Sequence, residues 1–233
     1  LARYDVPMVD ADEIAKAARG YAERLVPLID DVPGLIARHR RAGDRILFDA
    51  SLAGQTISLL SNLPQVDHAL ILDGETHNIT ISGSTIARSG FLITGTGNVT
   101  VRNLTFISGQ ASSGGAFRVN TNGYLTVYDS TFTNNVASPA GSASGDGGAI
   151  DSNGNLQIFD SQFSNNQAAS DGGAIALDIA DFVSIERSTF TANIALDVGG
   201  AVYIDRADLI TFADTTFDSN SAANRGGGIF ANR

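Results

Sequence analysis

Apolar and polar residues alternate in short runs along most of the chain, and these runs recur at a nearly fixed interval. In four successive segments, two apolar residues stand two positions apart, shortly before a phenylalanine. The pairs are Leu125 and Val127, Leu156 and Ile158, Val183 and Ile185, and Ile210 and Phe212. Such alternation is typical of β-strands, and helical spacing is not sustained after residue 45. The pattern predicts an all-β structure from there onward.

Two motifs mark the repeat. "GGA" followed by an apolar residue begins at Gly114, Gly147, Gly172 and Gly199, and "GGGI" begins at Gly226. The second motif, FxxN, begins at Phe132, Phe163, Phe190 and Phe217, and with Phe106 these phenylalanines are spaced by 26, 31, 27 and 27 residues. The longest interval contains a Ser/Gly-rich insert at residues 137–146, which is predicted to be a loop.

Each unit predicts three short strands: one after GGA, one in the middle and one around the phenylalanine. Three strands wound into a coil can bury a shared interior, and successive coils then pair at about 4.8 Å. A period of roughly 25 residues is the length of one such turn, so the sequence predicts a parallel β-helix of about six to seven coils. The asparagines of FxxN are predicted to form a ladder of buried amides inside it. They are Asn135, Asn166, Asn193 and Asn220.

Residues 1–45 have a different character from the rest of the chain. Residues 10–26 open with Asp10 and Glu13 in the spacing of a capping box, and residues 32–43 place Pro33 near a helix start and Gly43 at its end. We expect a helical N-terminal cap or connector over residues 1–45 and a β-helix over residues 46–233. The chain ends after the first strand of a new coil, and an open strand edge there could pair end to end with another copy.

The paired GGA and FxxN motifs resemble those of the polymorphic outer-membrane proteins, whose exported passengers are β-helical adhesins. The stretch "GDRILFDASLAGQTISLLSNLPQ" at residues 43–65 resembles the start of the bacterial surface β-helix proteins known for a CSLREA box, although the box itself is missing. These resemblances imply a right-handed parallel β-helix on a secreted or cell-surface bacterial protein. Neither group supplies a catalytic motif that can be transferred to this chain.

The charge distribution narrows the range of partners. The chain has 15 Lys and Arg against 25 Asp and Glu, a net charge of −10, and residues 46–233 carry all of this excess. An acidic surface argues against nucleic acid as a partner and is compatible with Ca²⁺. No cysteine is present, and no apolar run approaches the roughly 20 residues of a membrane-spanning helix.

The chemistry expected of a polysaccharide-cleaving β-helix is poorly represented. Lyases of this shape generally use a cationic base, but the single lysine, Lys16, lies in the predicted cap, and the arginines are scattered along the coils. The clustered aspartates, Gly-His-Gly and Arg-x-Lys of polygalacturonases have no counterpart. The sequence therefore favours a non-enzymatic scaffold or adhesin that presents a side face or loop to a protein or glycan. A polysaccharide lyase or glycoside hydrolase is the alternative, and a calcium-stabilised structural module is a third.

Three residues are the candidate ligand-binding positions. Asp178 and Asp205 occupy equivalent turns and would stack roughly 5 Å apart in adjacent coils. Such carboxylates could bond their own backbone, hold Ca²⁺, or form the close pair of a retaining glycosidase. Tyr203 and Phe230 are predicted to point outward on neighbouring coils, where a sugar could lie on them.

Two further ladders carry weaker predictions. Arg187 is expected to lie between Asp160 and Asp214 in a charge-balanced ladder on a solvent-exposed face. The mid-coil threonines suggest an ice-binding surface, but that ladder is too irregular to support one. It consists of Thr100, Thr126, Gln157, Ser184 and Thr211.

Overall fold

The computed structural model describes residues 44–48, 50–59, 63–83, 90–137 and 145–232. They form 23 short β-strands, which we number in chain order, and one 3₁₀ turn at Ala50–Leu52. Every strand pairing is parallel and joins one coil to the next, and the strands fall into three sheets. The structure is therefore a parallel β-solenoid of about six turns, as the repeat predicts. The predicted cap helices lie outside the described residues.

The largest sheet, sheet A, has eleven strands drawn from the GGA and mid-coil segments. They are β1 (Asp44–Leu47), β3 (Ala69–Asp73), β5 (Phe91–Ile93), β6 (Asn98–Arg102), β9 (Phe117–Val119), β10 (Tyr124–Tyr128), β13 (Ile150–Ser152), β14 (Asn155–Phe159), β17 (Ile175–Glu186), β20 (Val202–Ala213) and β23 (Ile229–Ala231).

Sheet B is built around the repeated phenylalanine and contains seven strands. They are β2 (Thr56–Ser58), β4 (Ile79–Ser82), β7 (Leu104–Ile107), β11 (Thr131–Thr133), β15 (Gln162–Ser164), β18 (Thr189–Thr191) and β21 (Thr216–Asp218). Sheet C has five strands of two residues each. They are β8 (Gln110–Ala111), β12 (Val136–Ala137), β16 (Gln167–Ala168), β19 (Ile194–Ala195) and β22 (Ser221–Ala222).

The three predicted strands per coil are present, but their arrangement differs from a simple three-sided coil. The GGA strand and the mid-coil strand belong to one sheet, and in β17 and β20 they run together as single strands of 12 residues. Sheet C, which follows the FxxN asparagine, was not predicted. Its strands are too short to show alternation in the sequence. Each contains one alanine that points inward, where there is little room for a larger side chain, and this alanine is buried in the first four strands.

The interior is filled by columns of like residues. Phe106, Phe132, Phe163, Phe190 and Phe217 stack in register through sheet B, with neighbouring ring centroids 4.6–5.1 Å apart and interplanar angles of 1–15°. Phe91 and Phe117 stack on the opposite wall with centroids 4.9 Å apart. The 26- to 31-residue spacing of the phenylalanines is thus the repeat of one continuous aromatic core.

The predicted asparagine ladder is present beside this core. The Asn166 side chain accepts hydrogen bonds at Oδ1 from the backbone N–H and the Nδ2 of Asn135, both at 3.0 Å. It donates from Nδ2 to the Phe132 carbonyl at 3.0 Å and to Asn193 Oδ1 at 2.9 Å. Asn193 bonds Asn220 in the same way. The Asn166 amide therefore satisfies two backbone groups of the preceding coil and bonds the asparagine side chains on both sides.

A second buried ladder lies at the other end of the sheet B strands. The backbone N–H of Ser130 donates to Ser161 Oγ, and the N–H of Ser161 donates to Ser188 Oγ, each at 3.1 Å. Each of these serines is at most 2% exposed. The repeated "DST" and "DSQ" sequences carry this ladder, which sequence reasoning did not find because a serine in a turn needs no buried partner.

The two glycines of GGA have separate roles. The first has a positive φ in every copy, +62° at Gly114 and Gly147 and +65° to +67° at the later three. The second allows coils to approach closely, since a Cβ at Gly173 would lie only 2.0 Å from the Gly200 carbonyl oxygen. Both roles allow a sharp turn between closely stacked coils.

Candidate functional site

The candidate residues lie on the outer face of sheet A, along the strands that follow GGA. The register places Arg118, Asp151, Ala176, Tyr203 and Phe230 in one column, in adjacent coils from β9 to β23. This is the predicted outward column. The side chains differ in charge and size from coil to coil, in contrast to the uniform columns of the interior.

Asp178 and Asp205 are neighbours across β17 and β20, as predicted. The register pairs Leu177 with Ile204 and Ile179 with Arg206, so the two aspartates between them lie opposite each other. The pKa of Asp178 is raised, first by burial and then by the charges of Asp146 and Asp205, while a hydrogen bond with Asn153 opposes the shift. The expected like-charge pair is therefore formed.

Asp205 has partners that the sequence did not predict. Its Oδ1 accepts a hydrogen bond from Asn232 Nδ2 at 3.0 Å, and its Oδ2 lies 3.3 Å from Nε of Arg206. Arg206 follows Asp205 directly and turns back onto it, so a cation from outside the stacked column lies beside this pair. The carboxylate is thus engaged by one amide and one guanidinium.

Tyr203 stacks on Phe230, with ring centroids 6.1 Å apart and an interplanar angle of 6°. The Arg225 guanidinium lies 5.5 Å from the Phe230 ring centroid. The pKa of Tyr203 is raised to about 12, first by burial and then by the neighbouring carboxylates of Asp205, Asp171, Asp178 and Asp146. The tyrosine hydroxyl therefore stays protonated as a hydrogen-bond donor among acidic groups.

Asp151 is the residue that sequence reasoning missed. It lies in the outward column but is only 4% exposed, and its Oδ2 is 3.5 Å from Nε of Arg118. The pKa of Asp151 is raised to about 7, mainly by burial and in addition by the charges of Asp178 and Asp146, while the Arg118 charge opposes the shift. The sequence offered one signal, namely that Asp151 stacks between Arg118 and the small Ala176 of the adjacent coils. This signal does not reveal that a residue on the outward face is buried.

The aspartate of the repeated "DGGAI" has a structural role. Asp146 Oδ1 accepts a hydrogen bond from the backbone N–H of Asp171 at 3.1 Å, and Asp171 Oδ1 accepts one from the N–H of Val198 at 3.2 Å. The pKa of Asp171 is raised mainly by burial, with Asp146 and Asp197 adding to the shift. We call the following set the carboxylate cluster: Asp146, Asp151, Asp171, Asp178 and Asp205.

The carboxylate cluster spreads over several coils and does not converge on one point. Across the residues that the structure describes, no group of three or more His, Cys, Asp or Glu side chains is arranged to hold a metal ion. Asp178 and Asp205, the candidate calcium ligands, each have a hydrogen-bonding amide neighbour already. Chemically, the arrangement consists of a buried carboxyl group that can be protonated, Asp151, beside a row of partly neutralised carboxylates.

The charge ladder on the adjacent turn is confirmed in part. Arg187 Nε lies 2.8 Å from Asp160 Oδ1 and Arg187 NH2 lies 2.9 Å from Oδ2, a two-point pair. Its NH1 bonds Glu186 at 3.1 Å, so the second carboxylate partner is Glu186 and not the predicted Asp214. The hydrogen bonds to Arg187 lower the pKa of Asp160. Since all three side chains are substantially exposed, the ladder is a surface feature of small energetic weight.

Comparison with known proteins agrees with this geometry. The family model described as a right-handed β-helix region matches residues 68–233, more than half of the chain. The chain belongs to the right-handed β-helix family. No curated protein and no solved structure gave a significant match. In the described part of this β-helix, no helix is long and apolar enough to cross a membrane.

Proposed function

We propose that this right-handed β-helix is a non-enzymatic module of a secreted or cell-surface bacterial protein, presenting a side face to a protein or glycan partner. The observation that supports this most directly is the burial of Asp151. Its pKa is raised to about 7, in the range that a general acid requires, yet Asp151 is only 4% exposed and is paired with Arg118. A substrate on the outer face cannot reach it without a rearrangement.

The interior supports the same role. Stacked phenylalanines and hydrogen-bonded asparagines connect successive coils without interruption from Phe106 to Phe217. Such a solenoid keeps its side faces rigid, while outward residues can differ from coil to coil. The proposed bacterial surface origin rests on the resemblance to CSLREA-type proteins. Within the resembling stretch, the segments "DRIL" and "TIS" of this chain form β1 and β2, the first described strands.

Retention on glycans and on bacterial surfaces tests this proposal. We expect the full chain to bind one or more of these ligands, and Tyr203→Ala to weaken that binding. Tyr128→Ala is a matched control, since Tyr128 is also a half-buried outward tyrosine of sheet A stacked on a phenylalanine of the next coil, Phe159. Equal loss in both variants would contradict a site at Tyr203.

The alternative is a polysaccharide lyase or glycoside hydrolase, and the stacked Asp178–Asp205 pair is the observation that favours it. We expect no new reducing ends and no unsaturated products when the full chain is incubated with acidic and neutral polysaccharides. Product release that disappears in Asp178→Asn or Asp205→Asn, with binding retained, would replace the scaffold proposal by the enzymatic one.

A calcium-stabilised module is the remaining proposal, and thermal unfolding separates it from the first. For a scaffold without bound metal, we expect the same Tm in calcium and in EGTA. A higher Tm in calcium that is lost in Asp178→Asn would assign the ion to this pair, because only the folded state would bring the two carboxylates together.

A further inference from the structure

The outer face of sheet B carries two parallel ranks of mostly hydroxyl side chains. In the register, the first rank is Thr56, Thr80, Thr105, Thr131, Gln162, Thr189 and Thr216. The second is Ser58, Ser82, Ile107, Thr133, Ser164, Thr191 and Asp218. Every one of these side chains is half-buried or exposed. We call the two ranks the hydroxyl face.

The hydroxyl face is regular because of the aromatic stack directly behind it. Phe132, Phe163 and Phe190 each lie between the two ranks in sequence and point inward, with centroids 4.6 and 4.8 Å apart and interplanar angles of 1° and 7°. The other two ring pairs of the stack make angles of 15° and 11°, and from the four angles together we infer that adjacent coils rotate little against each other on this side. Sheets usually twist by about 20° per strand, so this wall is unusually flat.

The hydroxyl face also lacks charge. The chain has a net charge of −10, but the only ionisable residue in either rank is Asp218, in the last coil. Aromatic side chains are missing from both ranks as well, and those are the groups on which sugars usually stack. A glycan or a charged protein surface is therefore a poor match, whereas ordered water requires only repeated small hydroxyl and methyl groups.

We propose that the hydroxyl face binds ice. Its positions repeat every 4.6–5.1 Å along the solenoid, as the phenylalanine centroids measure, and the two ranks are two residues apart in each strand, roughly 6.6 Å. The oxygen atoms of hexagonal ice repeat at similar intervals along two perpendicular directions. Threonines held in such a grid fix their bound waters in the same grid, because hydroxyls anchor the water while methyl groups limit its other positions. Ser164 Oγ donates to Thr133 Oγ1 at 2.9 Å, so these two hydroxyls bond each other and lie closer together than the coil repeat.

The mid-coil threonine ladder of sheet A does not have these properties. It contains one glutamine, Gln157, as the first rank of the hydroxyl face does, but its neighbours two residues on include Arg102, Tyr128 and Glu186. Bulky and charged groups of this kind order water around themselves instead of into a lattice. The mid-coil ladder of sheet A is therefore a poor match to ice, and the proposed ice-binding surface is the hydroxyl face of sheet B.

Ice affinity of the full chain tests the inference. We expect the protein to be incorporated into a slowly growing ice hemisphere and to inhibit ice recrystallisation. Thr189→Lys should remove both activities, because a long cation in the first rank displaces the lattice of bound water. Thr211→Lys is the matched control, since Thr211 is also an exposed outward strand threonine, in the sheet A ladder of the next coil. Thermal unfolding of both variants confirms that they fold.

Three results would overturn the inference. They are exclusion of the wild-type chain from ice, equal loss of activity in Thr189→Lys and Thr211→Lys, and a dimer in sedimentation that only Thr189→Lys dissociates. The last would show that the hydroxyl face pairs with a second copy. The ice-binding inference rests on the proposed non-enzymatic role but concerns another side of the coil. The experiments can therefore contradict the ice-binding inference and the proposed function independently. Product release from polysaccharides removes the proposed function, while loss of ice binding leaves Tyr203-dependent retention untouched.

Discussion

Asn166→Ala is expected to lower the free energy of unfolding by about 3–5 kcal/mol. The substitution removes the acceptor for two N–H groups of Asn135 and the donor to the Phe132 carbonyl and to Asn193 Oδ1. Each buried polar group left without a partner costs roughly 1–3 kcal/mol, and several are affected together. Urea unfolding followed by far-UV circular dichroism measures the change.

Two further variants show whether the ladder is responsible. Asn166→Asp keeps the size and the acceptor oxygens but loses the Nδ2 donor and adds a buried charge, so we expect it to be at least as destabilising at neutral pH. Asn98→Ala changes an exposed asparagine on the surface and should cost at most about 0.5 kcal/mol. If Asn166→Ala lost no more stability than Asn98→Ala, the amide ladder would not be holding the coils together.

Stability is expected to fall as the pH rises through about 7, and Asp151 is the main reason. Its pKa is about 7 in the folded state against 3.8 ordinarily, so the folded protein keeps a proton that the unfolded chain releases. This contribution is fully present below pH 3.8, and it is lost as the pH rises through 7. The 3.2-unit difference corresponds to about 4 kcal/mol at most. The raised pKa values of Asp171 and Asp178 act in the same direction.

Urea unfolding of the wild type and of Asp151→Asn at pH 5 and pH 8 checks this prediction. The amide cannot ionise, so Asp151→Asn should be more stable than the wild type at pH 8. The difference in its free energy of unfolding between pH 5 and pH 8 should be much smaller than in the wild type. Asp129→Asn, the same change in an exposed turn, should leave that difference as it is. A wild type that is as stable at pH 8 as at pH 5 would show that Asp151 is ionised in the folded protein at little cost.

The sequence alone was sufficient for the repeat and its register. Phe132, Phe163 and Phe190 recur at nearly one coil length, and the structure stacks them as the spacing predicts. The asparagines, the GGA glycines and the outward column containing Tyr203 follow from the same period. In a solenoid, one coil of sequence separation always becomes one strand spacing, so alignment of the repeats predicts contacts between coils.

Contacts within a coil were harder to predict. The sequence showed the GGA and mid-coil strands but not that β17 and β20 join them, nor that sheet C follows the asparagine. These features depend on the angle by which the backbone bends at each turn. Residues such as Asn153 and Asp178, which occupy equivalent turns, do not determine that angle. The same uncertainty concealed the burial of Asp151, because alternation assigns a residue to the outside without saying what else covers that side.

The hydroxyl face shows the same division between sequence and structure. Its threonines stand in "STF", "NLT" and "TIS", but the sequence does not show which wall of the coil is flat. The period of the sequence determined which residues stack, since neighbouring coils are held at one hydrogen-bonded strand spacing. Only the tertiary structure decided which of those stacks lie on a flat wall and which lie buried, because the turns and the packed interior set the shape of each side.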